Sequence, residues 1–300
     1  LRRENYVTLN GTWDYAIVPV DGEIDVETLA QQAIPLCWDG QIVVPFSPEA
    51  PLSGVCRTVQ PSEFLWYRRK IELPKLGDDQ RLILHFEAVD WMCACFVNGG
   101  LVGTHVGGYL PFSFDITDLL GSAEVGESAA TGKVADPTTT DAADLVLCVW
   151  DPSDTSSQLR GKQRLSRGDI WYTAQSGIWQ SVWYEIVSAV HLESLTMKGD
   201  MFGALEVRAS AQVSRSAKAQ AGAQDSAQTG TQAGAQTGAL ELRLSLKDEL
   251  GQDVLLATLP VNEAGEISAE LYVDDPQLWS PESPYLYAVK ATLRQNGVVV

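Results

Sequence analysis

Hydrophobic side chains recur at every second position along much of this chain. Leu240-Glu-Leu-Arg-Leu-Ser-Leu-Lys247 is the plainest case. Its leucines fall on one face, and Glu241, Arg243, Ser245 and Lys247 on the other, the pattern of a half-buried antiparallel strand. Arg81 to Phe86 places Leu82, Leu84 and Phe86 together, with Ile83 making the other face less polar. Tyr287, Val289, Ala291 and Leu293 repeat the alternation near the end. Helical periodicity is weak throughout, and Val26–Ala33 and Thr117–Leu120 are the only short candidates. Many short strands separated by turn residues predict an all-β chain built from sandwiches. Asn296-Gly297 is a two-residue hairpin signal. Val298-Val-Val300 begins the partner strand and the chain then stops, so it is expected to be a piece of a longer protein.

The pattern changes character near residue 187. Eight of the nine Trp and all five Cys lie before that point. Two domains are therefore expected. Residues 1–187, rich in aromatics and turns, suit a jelly-roll β-sandwich, and residues 188–300 suit an immunoglobulin-like β-sandwich. Two segments read as insertions. Ala211–Ala239 is mostly Ala, Gln, Gly, Ser and Thr and repeats Gln-Ala-Gly-Ala-Gln. Such a tract buries too little apolar surface to offset chain ordering and is expected to be a disordered expansion of a loop. Gly121–Asp144 is a milder case.

Composition then narrows the function. Charges of 21 Lys+Arg against 39 Asp+Glu give −18, which argues against nucleic acid as a partner. No apolar run reaches the roughly 18 residues that a membrane helix needs, and no basic stretch followed by an apolar one opens the chain. Cys37, Cys56, Cys93, Cys95 and Cys148 are odd in number, and none sits in a metal-ligand spacing with His85, His105 or His191. Free, buried thiols, no metal, no cofactor and a cytoplasmic location are the expectations.

A series of motifs resembles glycoside hydrolase family 2, the β-galactosidase and β-glucuronidase group. They run in order: Leu9-Asn-Gly-Thr-Trp-Asp14, Val43-Val-Pro-Phe-Ser-Pro-Glu-Ala50 and Leu65-Trp-Tyr-Arg-Arg-Lys70. Phe86-Glu-Ala-Val-Asp90, Val97-Asn-Gly99 and His105-Val-Gly-Gly-Tyr-Leu-Pro-Phe-Ser-Phe-Asp-Ile-Thr117 are the densest part. Trp150-Asp-Pro-Ser-Asp154, Gly161-Lys-Gln163, Ile170-Trp-Tyr-Thr173 and Ser176-Gly-Ile-Trp-Gln-Ser-Val-Trp183 follow. Leu278-Trp-Ser-Pro-Glu-Ser-Pro-Tyr-Leu-Tyr287 resembles the end of the family's second domain.

The resemblance implies a jelly roll, an immunoglobulin-like sandwich and then a (β/α)8 barrel that carries the active site. Retaining enzymes of this kind use two carboxylates about 5–5.5 Å apart. In the family both are barrel glutamates, the acid following an Asn, and this chain ends before the barrel. Asn262-Glu263 is the only such dipeptide here, and its surroundings read as a turn. No catalytic residue is therefore assigned on the chain. The expected function is the non-catalytic N-terminal region of a retaining exo-β-glycosidase of β-galactosidase type. It would support the missing barrel, shape the pocket rim and help form a homo-oligomer, the isolated chain being inactive. The alternative is a free-standing carbohydrate-binding module.

The resemblance also implies that the loop before Gly177 reaches the barrel pocket, where several members place a sugar- or cation-contacting Asp. Here the matching position is Trp171, and the acid, Asp169, lies two residues earlier. Either Asp169 accepts sugar hydroxyl bonds or Trp171 stacks on a ring. Otherwise Asp169 is a turn residue and Trp171 packs on the sandwich. Arg160-Gly-Lys-Gln-Arg-Leu-Ser-Arg167 holds four cations and no acid. It suits an anion such as a uronate, but docking on an acidic surface or solvation is the favoured reading. His105–Tyr109 lacks the helix of a phosphate loop and reads as a turn or bulge. Trp66, Trp91, Trp150, Trp179 and Trp183 are expected in core packing.

Overall fold

The computed structural model describes residues 5–20, 22–120, 142–212 and 240–300. These divide into two compact units, with the break between Ile186 and Val187. Apart from 142–144 and 211–212, which are strand, the two expected insertions lie outside the described residues.

The first unit contains β1 (Tyr6–Thr8), β2 (Gly11–Pro19), β3 (Gly40–Val44), β4 (Glu63–Glu72) and β5 (Gln80–Phe86). After these come β6 (Val89–Asp90), β7 (Met92–Val97), β8 (Gly100–Val106), β9 (Phe112–Asp115) and β10 (Ala142–Trp150). The short β11 (Gln163–Arg164), β12 (Tyr172–Thr173) and β13 (Gly177–Ile178) precede β14 (Val182–Ser188). A six-stranded sheet, β3-β2-β4-β10-β7-β8, faces a four-stranded one, β1-β14-β5-β9. Trp13, Tyr67, Leu82, Leu84, Phe86, Cys93, Cys95, Leu145 and Leu147 fill the space between them.

Strand β7 departs from alternation because it is buried along its whole length. Its other face, with Ala94 and Phe96, joins Phe64, Trp66, Val146 and Cys148 in a second cluster. Leu29 of helix α1 (Val26–Ala30) closes over that cluster, fully buried. The helix starts where the sequence places it because Asp25 Oδ1 accepts from Thr28 N at 2.7 Å. It ends three residues sooner than the periodicity suggests. Helix α2 covers Thr117–Leu120 as expected.

Among the described residues, the second unit is a sandwich of seven strands. Its strands are β15 (His191–Gly199), β16 (Ala204–Gln212), β17 (Leu240–Lys247), β18 (Asp253–Pro260), β19 (Glu266–Tyr272), β20 (Ala288–Gln295) and β21 (Val298–Val299). Sheet β15-β16-β19 packs on sheet β18-β17-β20-β21. Leu242, Leu244 and Leu246 meet Leu205, Val207 and Ile267 in its core. Asn296 and Gly297, with φ of 51° and 79°, make the tight turn into β21. Asn262-Glu263 is a turn, with Asn262 Oδ1 accepting from Ala264 N at 2.9 Å and Glu266 N at 2.8 Å.

Three expectations change. Only Cys93, Cys95 and Cys148 are buried, whereas Cys37 and Cys56 are exposed, because both lie outside the sheets. Val289 is half exposed although Leu293 is buried, because the core covers only the far half of β20. Of the five Trp expected in the core, only Trp66 is fully buried; Trp91, Trp150, Trp179 and Trp183 are half-buried.

Candidate functional site

The segment from Asp151 to Ser176 leaves the end of β10 and returns at β13. It carries polar residues at its base because its backbone runs where strand partners have ended. The Asp151 carboxylate is 4% exposed. It accepts from Ser153 N at 2.7 Å and from Ser176 Oγ at 2.8 Å. Ser176 N donates onward to Glu49 Oε2 at 3.2 Å, and Val59 N donates to Glu49 Oε1 at 3.2 Å. Strand β13 then pairs with β6, setting Gly177 opposite Asp90. Asp90 precedes the cis peptide bond to Trp91. Glu49 and Asp151 thus meet at Ser176, Asp90 feels the charge of both, and no basic side chain among the described residues bonds any of the three.

Burial sets their protonation. It raises Glu49 from 4.5 to about 7, against the pull of its backbone and Ser176 hydrogen bonds. It raises Asp90 from 3.8 to about 7, helped by the charges of Asp151 and Glu49. Burial raises Asp151 too, opposed by Ser153 and Ser176.

A cleft of about 90 Å³ opens over this cluster, lined by Asp90, Tyr109, Asp151, Gln158, Gln163 and Trp179 among others. Trp179 Nε1 donates to Gly108 O at 2.8 Å. The Tyr109 ring meets Trp179 edge-on at 6.1 Å. A Cβ at Gly108 would meet the Asp90 carboxylate, which would have to shift. Asp90 accepts no hydrogen bond from the described residues. Gln158 Oε1 and Gln163 Oε1 are buried and also lack a partner among them.

The two residues singled out from the sequence lie elsewhere on the same loop. Asp169 is an exposed turn residue with φ 51°. Trp171 closes that turn, its N–H donating to Gly168 O at 2.9 Å. The Arg164 guanidinium lies 4.0 Å over its ring, so one face is already covered. Neither residue lines the cleft. Three of the four cations of Arg160–Arg167 brace the loop itself: Arg160 on Ser156 O, Arg164 on Trp171, and Arg167 on Thr173 Oγ1 at 3.0 Å. No group of three His, Cys, Asp or Glu among the described residues is placed to hold a metal ion. No helix among them is long and apolar enough to cross a membrane.

Residues 7–184 match the glycosyl hydrolases family 2 sugar binding domain, and residues 196–300 match a second family model, glycosyl hydrolases family 2. The chain belongs to glycosyl hydrolase family 2. Its relatives include a β-galactosidase of Thermoanaerobacter pseudethanolicus, 23% identical over 232 residues, covering 76% of this chain and 26% of that protein. A β-glucuronidase of Formosa agariphila is 21% identical over 240 residues, covering 79% of this chain and 22% of its own. The chain therefore spans about a quarter of the length of these family 2 relatives. A Bifidobacterium dentium β-glucuronidase complexed with coumarin-3-O-glucuronide shares the fold, with a TM-score of 0.65 and 18% identity. That match covers 99% of this chain and 46% of the other. The jelly roll and the immunoglobulin-like sandwich are thus the two family 2 domains that the motifs imply.

Sequence reasoning missed Asp90, Asp151 and Glu49 as a group. Each lies in a motif, but they are about 40–60 positions apart, and the ladder β6–β13 together with the hydrogen bonds of Ser176 brings them together. The available signal was an acid at the end of an apolar strand run, as in Val-Asp90 and Trp-Asp151.

Proposed function

We propose that this chain is the N-terminal, non-catalytic part of a retaining exo-β-glycosidase, acting on terminal β-galactosides and working in the cytoplasm. The observation that carries the reading is the order of the two family 2 domains across residues 7–184 and 196–300, in a chain whose match covers 26% and 22% of its β-galactosidase and β-glucuronidase relatives. The two carboxylates of a retaining mechanism then belong to the remaining polypeptide. The braced loop of Asp151–Ser176 forms part of the pocket rim, with Asp169 and Trp171 at its tip facing carbohydrate. Five free thiols suit a reducing compartment.

Assay of the whole polypeptide on aryl β-galactosides and aryl β-glucuronides tests the activity. Preference for the galactoside, with the 300-residue chain alone inactive, is the expected result. Turnover by the 300-residue chain itself would sink the assignment.

A further inference from the structure

Asn-Gly occurs three times in the chain, at 10–11, 98–99 and 296–297. The pair is chemically special, because glycine has no Cβ to shield its backbone nitrogen from the preceding carboxamide carbon. Attack closes a five-membered ring only after the asparagine side chain swings over the peptide bond that follows it. Hydrogen bonds that fix the carboxamide oppose that swing.

The structure ranks the three. Asn10 is held at both ends of its amide: Nδ2 donates to Ser181 Oγ at 3.0 Å, and Oδ1 accepts from Val182 N at 3.0 Å. Gly11 already belongs to β2 and pairs with Val44. Asn98 turns the chain between β7 and β8, and its Oδ1 accepts from Asp144 N at 3.0 Å. Its own N–H donates to Asp144 O at 2.9 Å, so backbone and side chain are tied to β10 together. Asn296 is exposed, and its carboxamide forms no hydrogen bond with the described residues. The Gly297 N–H has no acceptor among them either. A Cβ at Gly297 would meet nothing within 4 Å, so the space around the nucleophile is open. Gly99 shares that openness, and the held side chain of Asn98 is what separates the two turns.

We propose that Asn296 is a self-modification site, the first asparagine of the folded chain to deamidate. Gly297 N gives its proton to solvent base and attacks Asn296 Cγ. The Cγ–Nδ2 bond breaks, and ammonia leaves with a solvent proton. Water then opens the cyclic imide at either carbonyl, giving aspartate or isoaspartate and one more negative charge. No change of oxidation state is involved. Aspartate keeps the turn, since it tolerates a positive φ. Isoaspartate adds a methylene to the backbone between Gln295 and Val298, which face each other in the β20–β21 ladder, and so parts that pair.

Peptide mapping tests it. The 300-residue chain is incubated in mildly alkaline buffer, native and in guanidinium chloride, then cut with trypsin. The three pairs fall on separate peptides, Glu4–Arg57, Leu82–Lys133 and Gln295–Val300. In the native chain, Gln295–Val300 is expected to gain the mass of NH2 replaced by OH, with an isoaspartate signal, at least tenfold faster than Asn98 or Asn10 reacts. In guanidinium chloride the three rates are expected to fall within about threefold of one another, because only folding distinguishes them. Asn296→Gln, which would need a six-membered ring, leaves the end peptide unmodified and excludes Gln295 as the source. No gain at Asn296, a native rate at Asn98 or Asn10 that equals it, a selectivity that survives denaturation, or a gain that persists in Asn296→Gln overturns the proposal.

Discussion

Glu49 and Asp90 hold protons that the unfolded chain would release. Their ordinary values are 4.5 and 3.8, and burial raises both to about 7. Between these limits the folded state binds more protons than the unfolded one, so stability falls as pH rises. The contribution is whole below pH ~4 and gone above pH ~7, with a slope of at most about 1.4 kcal/mol per pH unit for each group. Asp25 and Asp253 are lowered by hydrogen bonds, so their contribution is lost only as pH falls below the ordinary Asp range. Asp151, also raised by burial, adds to the effect of the pair, whereas His105, lowered by burial, opposes it as pH rises through the ordinary His range. The thermal midpoint of the first sandwich is expected to be higher at pH 5 than at pH 8. Asp90→Asn, which never ionises, narrows that gap in the same scan; a gap of unchanged size would count against a raised Asp90. Single residues are also where the sequence was least legible. Asp90, Asp151 and Glu49 each look like a polar residue after a strand, and only tertiary pairing makes them a buried cluster. Asp169 and Trp171 were visible because they sit in one motif, yet the motif does not show that Arg164 covers the ring of Trp171.

Among the elements, the short ladder of β13 on β6 has the largest consequence for its size. It ties the end of the Asp151–Ser176 segment to Asp90. Gly177 makes it possible: its φ is +77°, and a Cβ would overlap Tyr67 Oη and lie 2.7 Å from Leu65 Cδ2. Both neighbours are almost fully buried and have nowhere to move. Tyr67 Oη also accepts from Ile178 N at 3.2 Å, so its displacement would break that bond too. Gly177→Ala is therefore expected to cost about 3 kcal/mol or more, combining overpacking with a left-handed backbone. Urea unfolding of the first sandwich measures it, and a loss below ~1 kcal/mol would mean that the ladder yields easily. Alternation made β5 and β17 legible, because one face of each is core and the other is not. It could not describe β4, β7 and β10, whose sheet is covered on both sides.

At the scale of the whole chain, composition separated the two sandwiches because aromatics and Cys concentrate in the first. It also located a tract of small and polar residues between β16 and β17, which belong to opposite sheets of the second sandwich. Halving a flexible loop returns about 0.6 kcal/mol of closure entropy. Deleting Ser216–Gly238 is expected to leave the second sandwich as stable as before, or more stable by about 1 kcal/mol. A fall of many degrees in its thermal midpoint would show that the tract packs against something.

The unequal burial of the cysteines gives the molecule a built-in reporter. Cys37 and Cys56 are open to solvent, while Cys93, Cys95 and Cys148 are fully buried between or behind the sheets. Burial also keeps those three thiols protonated, and so unreactive. A maleimide added to the native chain is expected to label two sites at once and three only as the strands part. Every cysteine precedes Val187. The slow phase therefore times the opening of the jelly roll by itself, in a chain where light absorption and fluorescence would mix the two sandwiches through Trp279.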